Sequence, residues 1–76
     1  MFLNKLKLGE RAQVISILDD KTIDKQRLFD LGITAGTEIE SLYTSPSDNP
    51  TAYLIRGSVF ALRDETAGKI IVKITD

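Results

Sequence analysis

The chain reads as a mostly β fold in which five short strands and one inserted helix curl into a small, partly open barrel. Three observations point there. Runs of β-branched and aromatic residues recur between clusters of turn formers, which is how strands are punctuated. A single block, Arg27-Leu28-Phe29-Asp30-Leu31-Gly32-Ile33-Thr34-Ala35-Gly36-Thr37, has the form of a helix end handing over to a strand. And 76 residues without a cysteine must build one core with no disulfide, so wide open sheet edges would be costly.

The elements follow in order. Residues 1–7 form a lead-in whose Leu3, Leu6 and Leu8 can cover an edge of the core, and Gly9-Glu10 is a turn. Residues 12–18 read as the first strand. Its alternation is imperfect: Val14 and Leu18 fall on one face and Ile15 and Ile17 on the other, which implies burial on both faces or a bend. Asp20 or Thr22 caps a helix that runs to about Leu31. On a helical wheel Ile23, Leu28 and Leu31 share a sector of roughly 140°. Arg27 lies inside that sector, and Phe29 lies almost opposite its centre.

Gly32 suits the left-handed conformation that stops a helix, because it has no Cβ to clash. In that motif the next residue, Ile33, packs back on Leu28. Thr34-Ala35-Gly36-Thr37 then fits a type II turn with Gly36 at its third place. Residues 37–44 form the second strand, with Ile39 and Tyr43 on one face and Glu38 and Glu40 on the other. Residues 45–50 are a loop by composition. Residues 53–56 and 59–63 flank Gly57-Ser58, a two-residue hairpin turn of the Gly-X kind. Residues 64–68 make one helical turn, and residues 69–74 the last strand, with Ile70, Val72 and Ile74 inward and Lys73 outward. An SH3-like barrel fits this order; an OB-like barrel, whose helix comes later in the order, is the runner-up. Either is a single domain over residues 1–76, with an interior filled by side chains and no room for a buried ligand.

Composition narrows the chemistry. With no histidine and no cysteine, a histidine general base, a thiol nucleophile and a His/Cys metal site are excluded. A metal would have to be held by carboxylates, and the adjacent Asp19 and Asp20 or the pair Glu38 and Glu40 are more simply solvated acidic faces. No catalytic residue, metal ligand or cofactor is therefore expected. Ten basic and eleven acidic residues give a net charge of −1 with no basic run, which argues against nucleic-acid binding by bulk phosphate neutralisation; a small-barrel nucleic-acid binder stays the alternative only if a local basic, aromatic-bearing face exists. No signal-peptide pattern opens the chain and no stretch nears the roughly 20 apolar residues of a spanning helix, so a soluble cytoplasmic protein is expected.

What remains is contact with another macromolecule. Phe29, off the apolar stripe, is either covered by the 45–50 loop and the N-terminal leucines or is an exposed anchor for a partner. Arg27 either pairs with Asp30 three residues on or faces an acidic partner. The loop with Pro46, Asp48 and Pro50 is either a solvated connection or a recognition element; Tyr43 and Tyr53 beside it are expected in the core. Incomplete barrel closure would also leave an edge for weak self-association.

Taken as an ordered set, the residues resemble the FeoA family, small cytoplasmic proteins of bacterial ferrous-iron uptake. The match begins at Leu6-Lys7-Leu8-Gly9, Ala12 and Val14. It continues through the 27–33 block, Gly36-Thr37 and the loop at Pro46, Asp48 and Pro50. It ends with Arg56-Gly57, Ala61-Leu62-Arg63, Ala67, Ile70 and Val72. Where the family usually has Gly-Asp-Pro in the loop, this chain has Asp48-Asn49-Pro50. The resemblance implies an SH3-like fold, also found at the C-terminus of metal-dependent repressors, and a non-enzymatic auxiliary role. The implied partner is a FeoB-like ferrous iron permease with a cytoplasmic GTP-binding domain, which would bring the protein to the membrane only through that contact. Transition-metal binding comes with the family as a general term, without a ligand set.

Overall fold

In the computed structural model, which describes residues 1–47 and 49–75, five antiparallel strands form one sheet. They are β1 (Arg11–Ile17), β2 (Glu38–Thr44), β3 (Thr51–Ile55), β4 (Ser58–Leu62) and β5 (Ile70–Ile74), in the spatial order β4-β3-β2-β1-β5. A helix α1 (Lys25–Asp30) joins β1 to β2, a single turn α2 (Asp64–Ala67) joins β4 to β5, and a 3₁₀ turn at Leu3–Lys5 precedes β1. The sheet does not close, as a partly open barrel requires: β4 and β5 are its edges.

Two bulges bend it. In β1 the register with β5 slips between Val14 and Ser16, and in β2 the register with β3 slips between Ser41 and Tyr43. An extra residue reverses the in–out alternation downstream. That resolves the imperfect pattern of β1: Ala12 and Val14 point inward while Ile15 is turned to solvent. It also corrects the face assigned to Tyr43. Ile39 and Ser41 are fully buried, but Tyr43, which strict alternation would put beside them, is 60% exposed. Tyr53 is buried as expected.

The core is made by Leu3, Leu6, Val14, Leu28, Ile33, Ile39, Ile55, Leu62, Ile70 and Val72 among others, each large side chain contributing about 1.5–3 kcal/mol relative to exposure. Leu8 and Ile74, assigned to cover or line it, are exposed instead. Leu8 lies beyond the 3₁₀ turn that buries Leu3 and Leu6, beside the turn at Gly9. Ile74 ends its strand past the last buried residue, Val72.

The helix is shorter than its apolar spacing suggests. Asp24, not Asp20 or Thr22, is the N-cap, its carboxylate accepting from the Arg27 backbone N–H at 3.1 Å. Asp20 instead accepts from the backbone N–H and hydroxyl of Thr22, closing a separate turn. Ile23 therefore precedes the cap and Leu28 sits four residues after it, the two positions of a hydrophobic staple. Removing Ile23 from the helix dissolves the predicted sector, so Arg27 faces solvent.

The helix ends as a Schellman turn. The Ile33 N–H donates to the Leu28 carbonyl and the Gly32 N–H to the Phe29 carbonyl, both at 2.9 Å, with Gly32 at φ 91°. The next turn closes with Thr37 N–H donating to the Thr34 carbonyl, with Gly36 at φ 93°. The β3–β4 hairpin differs from its predicted turn by one residue. Ile55 pairs with Ser58, so the turn is Arg56-Gly57, both with positive φ (50° and 79°), a type I′ geometry that matches strand twist.

Candidate interaction surface

Phe29 is 64% exposed, on the face of α1 away from the core. Neither the loop nor the N-terminal leucines cover it. Its ring borders an open groove whose walls include Asp30, Leu31, Gly32, Ile55, Arg56 and Phe60. Helix α1 and the middle of β4 thus present two aromatic rings to one depression.

Arg56 organises that depression, and composition gave no reason to single it out. Its Nε donates to the Gly32 carbonyl at 3.2 Å, and its guanidinium lies 3.5 Å from the hydroxyls of Thr34 and Thr37. The side chain runs so close over Gly32 that a Cβ there would meet Cδ at 2.5 Å. One residue of the hairpin turn therefore clamps the helix stop and the turn that follows it. The only signal for Arg56 in the sequence was its place in the Arg56-Gly57 pair of the resemblance.

Arg27 and Asp30 do not pair. Asp30 accepts from the Gln26 side chain at 3.0 Å, and among the described residues Arg27 makes no ion pair. Arg27 and Phe29 are both exposed side chains of α1.

The 45–50 loop is tied down rather than loose. Ser45 Oγ accepts from the Asn49 N–H, Ser47 Oγ donates to the Asn49 carbonyl, and Ser45 N–H donates to the Pro50 carbonyl. Asn49 Oδ1 accepts from the Asp64 N–H at 3.0 Å, so the loop caps α2, whose own N-cap residue, Arg63, supplies no side-chain bond. Pro46 is exposed and Pro50 half-buried; Asp48 lies outside the described residues. Pro50 also borders a second groove, with Tyr43, Ser45, Ala52, Val59 and Ala61, on the outer face of β2–β3–β4. The candidate partner residues thus divide between two faces of the sheet, Phe29 on one and Pro50 on the other.

The carboxylates weighed as cation ligands have other partners. Lys69 Nζ lies 2.9 Å from Asp20, Lys25 Nζ 3.2 Å from Asp19, and Arg11 Nε 3.5 Å from Glu40. The Thr22 backbone and hydroxyl bonds, then Lys69, hold the Asp20 carboxyl well below its ordinary value of 3.8. Among the described residues, no three acidic, histidine or cysteine side chains converge on one point. No helix there is long and apolar enough to cross a membrane.

A family profile described as the FeoA domain matches residues 1–74. The chain belongs to the FeoA family. Its fold superposes on the FeoA protein of Chlorobium tepidum with a TM-score of 0.89 at 32% identity, covering 100% of this chain and 71% of that one. The FeoA-like protein of Clostridium acetobutylicum gives 0.87 at 30% identity, covering 97% and 85%. The FeoA of Stenotrophomonas maltophilia, solved with zinc and described as a prokaryotic SH3 domain protein, gives 0.84 at 30%, covering 96% and 89%. A manganese-dependent transcriptional repressor shares the fold alone, with a TM-score of 0.88 at 18% identity, this chain matching 36% of its length. No curated protein was matched by sequence. The SH3-like architecture is therefore that of FeoA proteins, and this FeoA chain carries it with an exposed aromatic on its inserted helix.

Proposed function

We propose that this FeoA protein is a non-enzymatic accessory of ferrous iron uptake that acts by contact with the cytoplasmic part of a FeoB-like ferrous iron permease. Membership of the family supports the role in ferrous iron transport. The observation that supports contact as the means is Phe29, a large aromatic held in solvent by a capped helix and a glycine stop, beside a groove that ends at Phe60. Exposed aromatics framed by such depressions are the usual anchors of protein interfaces. Arg27 on the same helix, outside every ion pair among the described residues, supplies a cation for an acidic partner, and the loop that carries Pro46, Asp48 and Pro50 in its sequence offers a second contact beside the other groove. With neither histidine nor cysteine in the chain, touching a partner is also the economical way to act.

The test is affinity for the permease's isolated cytoplasmic domain. Phe29→Ala removes an anchor worth about 2 kcal/mol or more, so binding weakens roughly thirtyfold. The same variant leaves the melting temperature close to wild type, because the ring is largely exposed. Unchanged affinity in a folded Phe29→Ala variant rejects this surface. No association of the wild-type protein with that domain rejects the partner.

A further inference from the structure

The sheet's two edges are treated differently. The β5 edge is covered: the Met1 amino group donates to the Val72 carbonyl, the Val72 N–H donates to the Met1 carbonyl, and Phe2 bridges to Ile71. The β4 edge has no neighbour among the described residues. Its sequence, Ser58-Val59-Phe60-Ala61-Leu62, carries no charge, no proline and no bulge, the usual devices against unwanted pairing.

The hairpin turn fixes which groups are free. In a two-residue turn the flanking residues, Ile55 and Ser58, form a hydrogen-bonded pair, so Tyr53–Phe60 and Thr51–Leu62 do too. The N–H and C=O of Val59 and Ala61 therefore point away from β3.

We infer that β4 pairs antiparallel with β4 of a second copy of this chain. A two-fold axis through Phe60 places Val59 opposite the second copy's Ala61, and Ala61 opposite its Val59. All four outward groups of each strand then find partners in one register, with no slip. That self-complementarity is what an isologous contact needs. The same axis places Arg56 of each copy opposite Asp64 of the other, with Arg63 and Glu65 on either side of that aspartate. The grooves fit as well. Successive side chains of an added strand alternate between faces: one Phe60 meets the other on the Phe29 side, while Val59 and Ala61 drop toward Tyr43. With Phe29 64%, Tyr43 60% and Val59 52% exposed, each copy has roughly 300–350 Å² of apolar side chain beside the edge. Main chain included, the interface reaches about 1,000 Å², the lower bound for a specific complex, so the dimer is a weak one.

Sedimentation of the full chain from about 10 μM to about 1 mM, with amide spectra recorded over the same dilution, tests this. The expected result is a monomer–dimer equilibrium, with concentration-dependent shifts at Val59, Phe60, Ala61, Phe29 and Tyr43. Ala61→Pro deletes an outward donor without touching the β3–β4 ladder and raises Kd at least about tenfold. Val59→Lys, a charge on the edge, does the same by a route that leaves the backbone alone. A monomer at 1 mM overturns the inference. So does a dimer unaffected by Val59→Lys, or shifts at Met1 and Phe2 in place of the β4 residues. A wild type that stays monomeric while the edge variants lose affinity for the permease domain also overturns it, by giving the edge to a different protein.

Discussion

Replacing Gly32 by alanine adds a methyl group where both the backbone conformation and a neighbouring side chain oppose it. Gly32 sits at φ 91°, where an L side chain costs about 1–2 kcal/mol. Its new Cβ would meet Arg56 Cδ at 2.5 Å and Nε at 2.8 Å. Arg56 must swing away, losing its 3.2 Å bond to the Gly32 carbonyl, a further loss of about 0.5–1 kcal/mol for an exposed bond. The total is about 1.5–3 kcal/mol, against a margin of roughly 3–5 kcal/mol for a core this small. At about 4–8 °C per kcal/mol, the midpoint falls by roughly 6–24 °C. Gly36 is the internal control. It has nearly the same φ, 93°, and open space where its Cβ would be. Gly36→Ala therefore carries the backbone strain without the collision, and the two losses should differ by about 1 kcal/mol. Thermal melts of both substitutions, each also made with Arg56→Ala, separate the terms. In the Arg56→Ala background the cost of Gly32→Ala should drop to that of Gly36→Ala. An equal cost of Gly32→Ala in both backgrounds refutes the clamp, and wild-type melting of Gly32→Ala refutes the helix stop itself.

Three other perturbations read other parts of the fold. Ser41 is fully buried and its hydroxyl has no hydrogen-bond partner among the described residues, so Ser41→Ala should stabilise the protein by about 1 kcal/mol in denaturant titration. Asn49→Ala removes the loop's cap on α2 and should cost about 1 kcal/mol, seen as a lower midpoint with an unchanged m-value. Burial pushes the Tyr53 hydroxyl above its ordinary value of 10.0. A raised acid means the folded state prefers the neutral form. That stability is whole below pH 10 and is lost as pH rises toward the folded value, so melting temperature should fall more steeply above about pH 10 in wild type than in Tyr53→Phe.

What could be read from the residues was mostly what local chemistry dictates. The glycine stop, the turn at Gly36, the hairpin and the single turn of α2 each rest on a few adjacent residues with narrow conformational preferences, and each lies where its residues indicate, the hairpin one residue early. The misplacements share a different cause. Tyr43 and Ile15 were assigned by alternation, and a bulge leaves no mark in a run of strand formers. Arg27 was assigned by a helical period extended back through Ile23, across a cap at Asp24 that competes with three other capping residues nearby. The hairpin shifted by one because Arg56 adopts positive φ, which its residue type disfavours and its bonds to Gly32 and Thr34 offset. Phe29 was the reverse case. Even though the wheel was drawn on a helix that starts too early, Phe29 lies about 100° from Leu28 and about 160° from Leu31 on any wheel, so a helix that turns both leucines to the core turns Phe29 away from it.

The two proposed contacts draw on overlapping surface. Phe29 is the anchor offered to the permease, and it also lies beside Phe60, where the second copy's β4 would lie. A protein cannot present one ring to two neighbours at once, so binding of either partner withdraws the other by mass action. The weaker contact yields. A weak β4–β4 dimer gives way to a partner held tenfold more tightly, a difference of about 1.4 kcal/mol. Self-pairing then serves to cover an uncharged edge and two aromatic rings when the partner is scarce, which is the hazard such an edge otherwise brings. On this reasoning the missing charge on β4 and the exposed Phe29 have one explanation: both are kept bare because a second polypeptide is meant to lie there.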